Sequence, residues 1–118
     1  MLSERALRQV ALRAIQLIKE RGFRRGKRGR GLGVGDAIAE ADPRRKYRWT
    51  LWARAESVIC ATTCMRHSHG GKGLIARWNA KAGRTMEDAI ALLRRVRKND
   101  VRFTYRDEFG YFATKASR

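Results

Sequence analysis

Cysteine is scarce in this chain. Two among 118 residues cannot make a disulfide framework. No run of 18 apolar residues occurs, which excludes an apolar membrane-spanning helix. The N-terminal segment is threaded with arginines and has no uninterrupted apolar core, so no secretory signal is read and a cytoplasmic location is expected. Acidic residues are few, 11 against 28 Lys and Arg, giving a formal net charge of +17. They are also scattered, and no pair of them reads as a glycosidase-like or metal-nuclease site. No enzyme activity and no cofactor are expected.

What is present is a basic chain with a core. Apolar residues make up 43%, enough for one modest core, so 1–118 reads as a single domain. The charge is clustered: residues 21–54 alone carry +8 of the net +17. Arginine outnumbers lysine 21 to 7. Its planar fork donates parallel hydrogen bonds to phosphate and stacks on bases. A GC-rich genome also raises arginine, but it does not explain the clustering. A charge so far from zero repels itself and points to a polyanionic partner.

Apolar spacing predicts an amphipathic helix over 3–22, with Leu7, Val10, Ala11, Ala14, Ile15 and Ile18 as its stripe. Ser3 reads as its N-cap and Gly22 as its stop. Residues 21–35 hold six glycines and six basic side chains with no helix or strand period, so a basic loop is expected there. It matches neither a P-loop nor a dinucleotide fingerprint. An ordinary solvated loop competes with a phosphate-contacting one, and the charge density favours the latter.

A short helical turn is expected over 36–41. Asp42 and Pro43 then read either as a break or as the cap and first position of a fresh helix. Next, Arg44, Arg45, Lys46, Arg48 and Arg54 interleave with Tyr47, Trp49 and Trp52, a pattern suited to holding phosphates and stacking bases. Core packing is the competing reading, favoured for Trp52 and evenly balanced for Tyr47 and Trp49. A helix is expected over 50–67, a short apolar turn over 74–78, and a helix over 85–98 capped by Thr85 with Asp88. Period-two alternation in Val101, Phe103 and Tyr105 predicts a β-hairpin within the tail, 100–118. The expected fold is therefore mainly α (α+β), with three to four helices and this hairpin.

Cys60, Cys64, His67 and His69 lie within ten residues, and thiolate and imidazole suit zinc. Their spacing matches no common finger, all four come from one element, and the cysteines flank an apolar stripe. No metal site is assigned to them, and a Cys/His nucleophilic pair lacks any orienting acid.

The string over 76–96 carries Trp78, Asn79, Gly83, Arg84 and Thr85 ahead of an amphipathic helix. It resembles a family of small uncharacterised proteins of actinobacteria and their phages that carry Trp-Asn-Asp, a spacer and Gly-Arg-Thr. Ala80 departs from the family's Asp. Glu20, Arg21, Gly22 and Phe23 are also family-like, as are Gly35, Ala37 and Ile38. The resemblance covers roughly 3–97. It implies a mostly helical fold and a phage or actinobacterial origin, hence a host-cytoplasm location if phage-encoded. It supplies no activity. Physically the five residues read as structural: a core plug, a turn and a cap.

The expected function is phosphate-dominated binding of DNA or RNA. The candidate contacts are Arg21, Arg24, Arg25, Lys27, Arg28, Arg30, Arg44, Arg45, Lys46, Tyr47, Arg48 and Trp49. The alternative is a phage-encoded modulator docking the same basic surface on an acidic protein or a ribonucleoprotein. No membrane partner is expected.

Overall fold

The computed structural model describes residues 2–66, 73–106 and 112–116, with side chains described over 2–66 and 73–100. Five helices form it: α1 Glu4–Arg21, α2 Val34–Ala41, α3 Arg48–Thr62, α4 Leu74–Ala80 and α5 Met86–Lys98. Strand segments β1 Val101–Arg106 and β2 Phe112–Ala116 follow and pair antiparallel. The connection between them, 107–111, lies outside the described residues. No helix among the described residues is long and apolar enough to cross a membrane.

The long helices follow their apolar stripes. α1 buries Leu7, Ala11, Ala14, Ile15, Leu17 and Ile18 against α2 and α5. Ser3 Oγ accepts from the Ala6 amide, and Gly22, at φ 89°, closes the other end by donating to Ile18 O. α5 opens on a complete capping box. Thr85 Oγ1 accepts from the Asp88 amide while the Asp88 carboxylate accepts from the Thr85 amide. Ile90, Leu93 and Val96 then enter the core, as their spacing requires. Each large side chain so buried stabilises the fold by about 1.5–3 kcal/mol.

The helix count exceeds the expected three to four because α2 and α4 are complete helices of 8 and 7 residues rather than turns. Two further expectations are settled. Asp42 and Pro43 form the break, not the cap and first position of a helix. Asp42 ends α2, a tight turn follows with Arg45 at φ 57°, and α3 begins only at Arg48. The buried Asp42 carboxylate still caps α3, at longer range, accepting from the amides of Tyr47 (2.7 Å) and Arg48 (2.8 Å). And α3 stops at Thr62 instead of reaching 67. The Thr62 and Thr63 hydroxyls donate back to Val58 O and Ile59 O, and the Arg66 guanidinium donates to Cys60 O and Thr63 O. The Arg66 bond satisfies Cys60 O, a terminal carbonyl that a further turn would have used.

α1 and α3 are tied by a two-pronged ion pair. Arg54 donates to both Glu4 carboxylate oxygens, at 3.0 and 2.6 Å. The Arg54 hydrogen bonds hold the Glu4 pKa below the usual glutamate value, with Arg8 adding to the effect. Because the folded value is the lower one, this contribution is complete above the ordinary pKa of about 4.3. It is lost as pH falls through the lowered value. Glu4→Gln is therefore expected to flatten the loss of stability below about pH 4.5, read as acid unfolding followed by circular dichroism. An acid profile identical to the wild type would contradict the linkage.

Candidate nucleic-acid interface

The basic segment is a loop with a closed base. Arg24 N donates to Leu32 O (3.1 Å) and Leu32 N donates to Gly22 O (2.9 Å). Leu32 is buried and Phe23 packs on the core, so apolar anchors hold both ends. Gly31 is required there: its φ is 96°, and a Cβ would lie 2.7 Å from Gly22 O. Between the anchors, Arg25, Lys27, Arg28 and Arg30 are all exposed.

Asn79, from α4, fastens this base to the rest of the protein. It is buried at 6% exposure. Its Oδ1 accepts from the Val34 amide at the start of α2 (3.0 Å). Its Nδ2 donates to Arg24 O (2.6 Å) and Arg25 O (2.8 Å). Gly33 lies against the same amide, where a Cβ would come within 2.9 Å of Nδ2. The neighbouring motif residues are structural too. Trp78 is buried, and the Arg84 guanidinium sits 4.0 Å over its ring while Nε donates to Trp78 O. Gly83 makes the turn at φ 82°.

A groove of about 760 Å³ opens between the loop base and the surface of α2, α3 and α4. Arg24, Arg25 and Lys27 edge it from the loop; Trp49, Trp52, Ala53 and Glu56 face it from α3. Asp36 and Ala39 contribute from α2, Ile75 and Ala76 from α4. Trp49 is 71% exposed, an unusual position for so large an apolar side chain. Its ring meets Trp52 nearly at right angles (87°), with centroids 4.9 Å apart. Trp52 is half-buried and fixed by its Nε1, which donates to Gly35 O (3.1 Å).

The candidate residues thus divide. Arg24, Arg25, Lys27 and Trp49 meet at the groove, while Arg28 and Arg30 extend outward along the loop. Arg24 is engaged by the fold, paired with Asp36 at 3.0 Å and donating to Gly29 O. Arg21 pairs with Glu40 at 2.8 Å. Arg48 turns inward and donates to Ala39 O and Asp42 O. Tyr47 packs against the core, with Lys46 5.5 Å from its ring. Arg44, Arg45 and Lys46 are exposed in the turn before α3 and do not line the groove.

Sequence reasoning did not place Asn79, Asp36, Ile75 and Ala76 at this site. No local signal marks them, because α4 reaches the loop only through the tertiary fold. Cys64 lies beyond the end of α3 and so does not share that helix with Cys60. Cys60 is buried, and burial pushes its thiol pKa upward; Cys64 is exposed. His67 and His69 lie outside the described residues. Among the described residues, no group of three or more His, Cys, Asp or Glu side chains could hold a metal ion. In comparisons with known proteins, the chain matches no family model, no curated protein and no solved structure.

Proposed function

We propose that the protein binds nucleic acid, chiefly through phosphate. The observation that carries this reading is the adjacency of two exposed loop cations, Arg25 and Lys27, to an exposed tryptophan at one groove, with Arg28 and Arg30 exposed further along the same loop. Arg25, Lys27, Arg28 and Arg30 would neutralise backbone charge, and Arg44, Arg45 and Lys46 would extend the track. Aromatic faces interleaved with cations suit a strand that offers both phosphates and bases. The resemblance over 76–96 belongs to the same proposal as a statement of origin, a phage or actinobacterial protein, and its residues act there as scaffold.

Binding of labelled single- and double-stranded DNA and RNA, titrated against salt, tests the reading. Affinity that persists at about 150 mM salt and prefers one form supports it. Binding that is indifferent to form and gone at that salt contradicts it and assigns the basic surface to an acidic protein partner.

A further inference from the structure

We infer that the groove receives an unstacked nucleobase against Trp49, with its flanking phosphates on the loop, so that the protein selects single strands over duplex. This deepens the nucleic-acid reading and rests on it. The argument begins with polarity. Inside the groove the charged groups include the carboxylates of Asp36 and Glu56, and Arg24 is already paired with Asp36. With Arg24 committed to Asp36, the described interior offers no unpaired cation to hold a phosphate. Arg25 and Lys27, exposed and without an ion pair among the described residues, stand at the loop edge instead. Charge therefore places the backbone outside and the neutral base inside.

The shape agrees. A volume of about 760 Å³ falls within the roughly 300–1,000 Å³ of small-ligand pockets. Ala39, Ala53, Ile75 and Ala76 give the walls an apolar surface. Trp49 is held by its edge-to-face contact with Trp52 yet keeps most of its surface open. Trp52 is in turn fixed to the backbone of Gly35, so little ordering is left for a ligand to impose. A base stacked on Trp49 must have left its own stack, which a base within a duplex can do only by unpairing.

Three probes of equal length test this: a single-stranded DNA oligonucleotide, its duplex, and an abasic strand that keeps the phosphodiester backbone without bases. The wild type is expected to bind the single strand roughly ten- to a hundredfold more tightly than the abasic strand, with quenching of tryptophan emission. Trp49→Ala is expected to erase that preference while leaving abasic-strand binding and its salt slope unchanged. Trp49→Phe should restore most of it. Trp49 is exposed, so both variants should keep the wild-type circular dichroism. An undiminished preference in Trp49→Ala, or wild-type binding of duplex or abasic strand as tight as the single strand, overturns the inference. Loop-dependent binding that ignores bases overturns this inference alone. No binding to any probe at about 150 mM salt overturns the nucleic-acid reading with it.

Discussion

Serine in place of Arg25, Lys27, Arg28 and Arg30 together is expected to weaken binding to a single-stranded oligonucleotide by roughly a hundredfold or more at about 150 mM salt. Each neutralised phosphate on a single strand contributes about −0.7 to the slope of log affinity against log salt, so four contacts contribute about −3. Between a reference near 1 M, where counterion release no longer drives binding, and about 150 mM, a slope of that size is worth roughly two and a half decades. The fold should not suffer. All four side chains are exposed, and removing four positive charges from a chain at +17 relieves self-repulsion. The expected result is a large loss of affinity and a shallower salt slope, with a melting temperature equal to the wild type or above it. Arg24 is left out of the variant because its pair with Asp36 helps shape the loop. Unchanged affinity and slope would show that the loop does not contact phosphate.

Asn79→Ala is expected to be the most damaging single substitution at the site. It removes three hydrogen bonds and leaves the buried Val34 amide without its acceptor. Orphaning such a group costs about 1–3 kcal/mol, and the two lost carbonyl partners add to it. A total of about 2–4 kcal/mol is expected, a fall in melting temperature of roughly 5–15 °C. Asn79→Asp sharpens the test. Aspartate keeps the acceptor for Val34 but turns an oxygen toward Arg24 O and Arg25 O where Nδ2 donated. It should therefore destabilise about as much as alanine, and both should weaken nucleic-acid binding through a loosened loop base. An aspartate variant as stable as the wild type would show that the two loop carbonyls do not depend on this amide.

The two long, capped helices were legible because their signals are local. Ser3 opens α1, Thr85 and Asp88 sit three apart at the start of α5, and both apolar stripes run for several turns. α2 and α4 were read only as turns, since 8 and 7 residues span about two helical periods. The end of α3 was missed for a different reason. No glycine or proline marks it; Arg66 satisfies Cys60 O, and the Thr62 and Thr63 hydroxyls fold back on the last turn. Asp42 was legible as a capping residue, but its reach across the turn to Tyr47 and Arg48 follows from the backbone path.

The candidate site was half visible. Its cations and its tryptophans stand out as composition. Their meeting at one groove does not, because it depends on Asn79 joining positions 54 and 55 residues away. Nor could periodicity decide which cations are engaged. Arg24 and Arg48 are claimed by Asp36 and by the end of α2, while Arg25 and Lys27 make no ion pair among the described residues.

The most direct test of phosphate-dominated binding is the salt dependence of wild-type affinity for a single-stranded oligonucleotide, measured from about 50 to about 300 mM salt. The loop predicts a linear log–log plot with a slope of about −3 or steeper and measurable binding at about 150 mM. A slope near zero, or binding already absent at that salt, would contradict it.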